Sequence, residues 1–196
     1  MNDIIIDLDE VSELKDKFVL GDIIFENENK KFHEIKYDNK TMYIVFKGSI
    51  FKWNSDTKSK LFIQVDDELY SLLGFLIYKL KYDLHVNLIN EDFLYSKNNK
   101  FLVTRVPGFY KNNEYIVFSK FYNFDNSNRI PYNEIPKKFN GIFTIKLKSI
   151  CKNNYNNKEK ITLNTELHEI FIINDIESST NLPLSMNIIN SKYKNL

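Results

Sequence analysis

The chain is 196 residues long, 43% hydrophobic and 15% aromatic, with 27 Lys or Arg against 26 Asp or Glu. That length fits one domain with at most a small appendage, and the apolar content fills a sizeable core, which excludes a wholly disordered chain. No apolar run approaches the roughly 20 residues of a membrane-spanning helix, and the acidic start MNDIIIDLDE is unlike a signal peptide. With the single cysteine Cys151, these features point to an intracellular protein in a reducing setting, with no membrane association.

Residue usage is skewed, with 26 Asn, 25 Lys and 24 Ile but only two Arg, one Gln and no Ala. The abundant residues have A/T-rich codons and the scarce ones G/C-rich codons, so an A/T-rich genome explains the bias. Lysine abundance alone therefore carries no chemistry.

Residues 1–16 hold six acids (Asp3, Asp7, Asp9, Glu10, Glu13 and Asp16) against Lys15, and read as an acidic N-terminal arm. Within it, Ile4-Ile5-Ile6-Asp7-Leu8-Asp9 resembles the nucleophile motif of haloacid dehalogenase-like phosphatases. There one Asp attacks phosphorus and the next acts as acid/base around Mg²⁺. The resemblance would give Asp7 and Asp9 those roles, but that fold needs a parallel sheet with alternating helices.

Residues 17–174 carry 24 bases and 18 acids, a positive surplus, and form a single domain followed by a polar tail from 175 to 196. Most of this body reads as β. Residues 41–53 (TMYIVFKGSIFKW) are rich in β-branched and aromatic residues, and 60–65 (KLFIQV) returns as a hairpin. From 66 to 84, apolar residues at 69, 72, 73, 76 and 80 draw a helical stripe, with Asp66 or Asp67 able to cap it. Residues 113–122, 141–150 and 158–172 are three further strands, and the Asn-rich stretch 152–157 is a loop. Strands around one helix suggest a small barrel or an α+β sheet.

Catalytic signatures are missing. His33, His85, His168 and Cys151 have no metal-ligand spacing, the five glycines are unclustered, and no Gly-x-Ser-x-Gly elbow occurs. The expectation is a protein without catalytic activity, metal or cofactor.

Single-strand nucleic-acid binders combine basic residues that track phosphates with aromatics that stack on bases. The period-2 rule puts Tyr43, Lys47, Phe51 and Trp53 on one face of 41–53, with Met42, Ile44, Phe46, Gly48 and Ile50 on the core face. Lys60 and Phe62 extend the first face across the hairpin. Lys146 and Lys148 form a polar side opposite Phe143, Ile145 and Leu147. A third basic stretch with aromatics runs from Lys97 through Lys100, Phe101, Arg105, Phe109, Tyr110 and Lys111 to Lys120. For each stretch alone, a solvated strand face is the simpler account; three together tilt the reading toward a positive surface.

The order of segments YIVFKGSIFKW, KLFIQV, LYSLLGFLIYKL, HVNLINEDFLYSKNNKFLVTRV, GIFTIKLKSI and KITLNTELHEIFII resembles the single-stranded DNA-binding replication proteins of poxviruses, of the oligonucleotide/oligosaccharide-binding (OB) type. The resemblance spans roughly 41–173 as pattern, and the A/T-rich bias fits large cytoplasmic DNA viruses. It implies a mainly β, OB-like antiparallel barrel with one inserted helix and extra strands. It also implies sequence-independent binding of single-stranded DNA during viral replication, recombination and repair in the host cytoplasm, with self-association and viral replication proteins as further partners. Such proteins carry an acidic C-terminal tail, whereas this chain ends in the basic NIINSKYKNL and has its acids at the start. The candidate DNA-binding set is Tyr43, Lys47, Phe51, Trp53, Lys60, Phe62, Lys100, Arg105, Lys111, Lys120, Lys146 and Lys148. The alternatives are a non-enzymatic viral interaction protein that antagonises a host factor, and the Mg²⁺-dependent phosphatase built on Asp7 and Asp9.

Overall fold

The structure, a computed structural model, describes residues 4–7, 18–38, 40–53, 60–84, 100–112, 114–155 and 158–173. In chain order these form β1 (Ile4–Asp7), β2 (Phe18–Glu26), β3 (Lys30–Tyr37), β4 (Met42–Trp53), β5 (Lys60–Gln64), α1 (Asp67–Asp83) and β6 (Phe101–Arg105). Then follow β7 (Gly108–Lys111), β8 (Glu114–Val117), β9 (Lys120–Asn123), a 3₁₀ turn at Tyr132–Glu134, β10 (Asn140–Tyr155) and β11 (Lys158–Ile173).

The hydrogen-bond ladder closes on itself. β4 pairs with β5, β5 with β6, β6 with β11, β11 with β10, and β10 again with β4. This ring is a five-stranded, OB-like barrel. Tracing the register round from Tyr43 through Lys146, Glu166, Arg105 and Lys60 returns to β4 beside Trp53, well along the strand from its start. That stagger is the shear by which tilted strands close a barrel.

The barrel is mixed where the sequence suggested an antiparallel one: β6 and β9 both run parallel to β11, and β1 runs parallel to β4. Outside the ring, the β2–β3 hairpin pairs through β3 with the far half of β10.

The core follows the alternation read from the sequence. Met42, Ile44, Phe46 and Ile50 of β4 are buried with Leu61 and Ile63 of β5, and with Phe143, Ile145 and Leu147 of β10. Phe143 stacks between Phe46, at 5.6 Å, and Phe139, at 6.2 Å. The helix adds Leu69, Leu72, Leu73, Leu76 and Ile77 to the same cluster, and each such side chain contributes about 1.5–3 kcal/mol by leaving water. Asp66 is the residue that caps α1: the Leu69 N–H donates to its Oδ1 at 2.8 Å. Asp67 and Glu68 in the first turn complement the positive end of the helix.

Three local readings change, and one hairpin is added where none is predicted. Residues 152–155 are strand, because Lys152 and Asn153 are paired on both sides, with β11 and with β3; pairing partners override the turn preference of asparagine. The stretch read as one strand at 113–122 breaks into β8 and β9 around Phe118-Ser119. Residues 18–37, with no clean apolar alternation, nonetheless form the β2–β3 hairpin. Part of the acidic arm, Ile4–Asp7, is a strand beside β4, where its β-branched isoleucines suit the pairing. The rest of the arm and the tail from 175 to 196 lie outside the described residues.

Gly48 tests the packing. A Cβ there would sit 2.8 Å from Ile63 Cγ2 and 2.9 Å from the Gln64 carbonyl oxygen, whereas Gly74 on α1 has nothing within 4 Å. Gly48→Ala is expected to lower stability by roughly 1–3 kcal/mol. Gly74→Ala is expected to raise it by about 0.5–1 kcal/mol. Urea unfolding midpoints of the two variants will therefore move in opposite directions.

Candidate nucleic-acid interface

Four of the sequence-predicted residues fall on one register row on the outside of the barrel. Lys60 on β5 pairs with Arg105 on β6, which pairs with Glu166 on β11, then Lys146 on β10 and Tyr43 on β4. Residues directly opposite on neighbouring strands lie about 5 Å apart, so the row is a continuous belt. Lys148 joins it through an ion pair with Glu166, Nζ to Oε1 at 2.6 Å. Lys60 and Arg105 are exposed, while Tyr43 and Lys146 are half-buried. The Tyr43 ring meets His168 edge-on at 5.0 Å.

Near Phe51 and Trp53 the pairing of β4 with β5 departs from a regular register. β4 has a register shift between Ile50 and Lys52, after which Lys52 lies opposite Phe62 and Trp53 opposite Leu61, a fully buried core position. One extra residue in a strand inverts its alternation. Phe51 and Trp53 are described by their backbone alone; Phe62 is half-buried.

Lys100 sits apart, ion-paired with Asp67 at the start of α1 and 5.1 Å from the centre of the Tyr70 ring. Lys111 is exposed at the end of β7, opposite Glu114, and Lys120 is exposed on β9, opposite Glu169. His85 and Lys97 lie outside the described residues.

The feature that sequence reasoning undervalued is the β7–β8 hairpin, a two-stranded sheet separate from the barrel. It leaves β6 just after Arg105 and returns to β9 at Lys120. Tyr110 and Phe118 are each 62% exposed and Phe109 44%. The rings of Phe109 and Phe118 lie 5.5 Å apart, and those of Tyr110 and Tyr115 4.9 Å apart. Asn112 takes the left-handed φ of 50° in the tight connection, a conformation asparagine tolerates.

Three bonds fix the root. The Tyr115 hydroxyl donates to the Val106 carbonyl at 2.9 Å, the Phe118 N–H to Pro107 at 2.9 Å, and the Ser119 hydroxyl to Leu167 at 2.8 Å. Burial pushes the Tyr115 phenol above its ordinary pKa of 10.0, with nearby Arg105 opposing. The sequence signal was a run of aromatics beside Pro107-Gly108 with no place in a periodic core pattern.

Among the described residues no three His, Cys, Asp or Glu side chains gather. The Cys151 thiol is buried and its pKa raised by desolvation, which disfavours the reactive thiolate. Asp7 ends a strand beside β4 in a mixed barrel, not in the alternating parallel sheet of the phosphatases it resembles, and Asp9 lies outside the described residues.

No protein-family model, curated protein sequence or solved structure matches this chain. Among the described residues, no helix is long and apolar enough to cross a membrane.

The Tyr115 bond gives a direct test of the root. Tyr115→Phe removes the donor, which is expected to loosen β7–β8 by about 1 kcal/mol while sparing β10 and β11. Amide hydrogen exchange should quicken in the hairpin alone. Because burial raises the folded-state pKa, the bond's contribution is complete below pH 10.0 and is lost as pH rises through the folded value.

Proposed function

We propose that this protein binds single-stranded DNA without sequence preference and without catalysing a reaction, as a viral replication, recombination and repair factor working in the host cytoplasm. The observation that carries the reading is the hairpin bearing Phe109, Tyr110 and Phe118 in the open, flanked by the exposed cations Arg105, Lys111 and Lys120. Aromatic faces accept any base, and cations alongside accept the phosphates that connect them. The OB-like barrel supports the same reading as a scaffold, since its outer strands and loops hold oligonucleotides in other proteins.

A second reading, a non-enzymatic interaction protein, draws on β2. Val19, Ile23, Ile24 and Phe25 are 42–52% exposed along a strand that ends its sheet, a surface suited to a protein partner.

Fluorescence anisotropy with labelled oligo-dT over a range of salt separates the two. Binding is expected, with each phosphate contact contributing about −0.7 to the slope of log affinity against log salt. Tyr110→Ala should weaken binding by roughly 1–3 kcal/mol with the slope nearly unchanged. Arg105→Ala should instead reduce the slope by about 0.7. An oligonucleotide that fails to bind at low salt leaves the interaction-protein reading in its place.

A further inference from the structure

Beneath the hairpin the structure holds a cavity of about 260 Å³, lined by Val117, Ser119, Phe121, Arg129, Ile130, Pro131 and Tyr132. Its walls come from the end of β8, from β9, and from the segment that folds back on β9. There the Ile130 N–H donates to the Phe121 carbonyl at 2.8 Å, and Tyr122 bridges to Arg129. The turn making this return is fixed by side-chain caps: the Asp125 N–H donates to Asn123 Oδ1 and the Asn128 N–H to Asn126 Oδ1, both at 2.9 Å. Two aromatic rings, Phe121 and Tyr132, meet at 5.8 Å and 51° in its wall. Arg129 at its mouth is exposed and carries no ion pair among the described residues.

We infer that this cavity is a base pocket, taking one unstacked nucleobase of the bound strand while Arg129 holds the adjoining phosphate; the inference rests on the single-strand-binding reading and assigns it a new subsite. Size is the first argument. The volume lies below the roughly 300 Å³ at which pockets for drug-sized ligands begin, so it admits a single ring system. Chemistry is the second. An apolar, aromatic wall suits a base face, and a planar guanidinium with several donors suits a phosphate better than an ammonium does.

Continuity is the third argument. Val117 lines the cavity and so does Ser119, whose hydroxyl fixes the hairpin's root, so the cavity opens where the hairpin returns to β9. The chain has two arginines, Arg105 and Arg129, and they stand on either side of the hairpin and β9. None of the cavity residues belongs to the set picked from the sequence.

The test uses the full chain and oligo-dT carrying iodouracil, cross-linked by light and mapped by mass spectrometry, with affinities by anisotropy. Cross-links are expected at Tyr132, the partly exposed ring of the wall, since Phe121 is only 2% exposed. Arg129→Ala, which removes an exposed side chain and keeps the backbone bridge, is expected to weaken binding about tenfold, the equivalent of one charged hydrogen bond. Arg129→Lys should recover only part of that loss. If the wild-type chain binds oligo-dT but cross-links fall only on Phe109, Tyr110 or Phe118, or Arg129→Ala binds as the wild type does, the pocket is overturned and the hairpin reading stands. If the wild-type chain binds no oligo-dT at low salt, the function itself is overturned and the pocket with it.

Discussion

One edge of β11 organises the rest of the molecule. On its other side β11 is paired with β10 along its whole length, but this edge is shared by two short parallel strands. β6 meets it at Glu166 and closes the barrel; β9 meets it again from Glu169 to Ile172. Between these two attachments the chain leaves the sheet and returns, and that excursion, from Val106 to Ser119, is the aromatic hairpin. A two-stranded hairpin is marginally stable alone in water, so its position depends on being held at both ends. The closure of the barrel and the placement of the candidate site are therefore one constraint.

The same edge sets the local charge. Each stem of the hairpin ends in a cation facing an acid of β11 in the register, Arg105 against Glu166 and Lys120 against Glu169. Glu169 is buried, opposite Thr144 on the neighbouring strand. Next to it on the outer surface Val45, Ile142, Phe171 and Ile173 form a small second apolar cluster, with Tyr122 of β9 stacked on Phe171 at 5.1 Å. β9 is thus anchored by backbone pairing and by packing on the barrel's outside, which gives the hairpin's return a firm footing.

How much of this was legible depended on whether a residue's neighbours are local. The core face of β4, the hairpin to β5 and the helix with its Asp66 cap could be read, because alternation, helical period and capping are set within a few residues. The register shift after Ile50, which sets Trp53 opposite Leu61, could not be read, since it depends on how β4 pairs with a second strand. The Asn-rich stretch near 153 read as loop because asparagine favours turns. It is strand because β3, more than a hundred residues earlier in the chain, supplies the second set of hydrogen bonds. The lysine positions follow from composition and face; Phe109 and Tyr110 fall in the third basic stretch but outside the candidate set, because local pattern does not tell an exposed ring from one covered by a loop.

The charges also decide what kind of binder the surface can support. Net charge is only +1, so no strong long-range field gathers a polyanion. Nearby, Lys148 is engaged with Glu166, Lys100 with Asp67, and Lys111 stands across from Glu114. Such surface pairs contribute about 0–1 kcal/mol each, so a phosphate can displace the carboxylate, but the gain is the difference between two similar attractions. Stacking has no such competitor, because the rings of Tyr110 and Phe118 already face solvent and exchange only water for a base. On the proposed reading, the aromatics would supply most of the free energy and the cations would mainly set the path of the strand. A lysine-rich chain of this composition should accordingly bind with a salt dependence shallower than its lysine count implies, because each acid held next to a cation removes part of one phosphate's attraction.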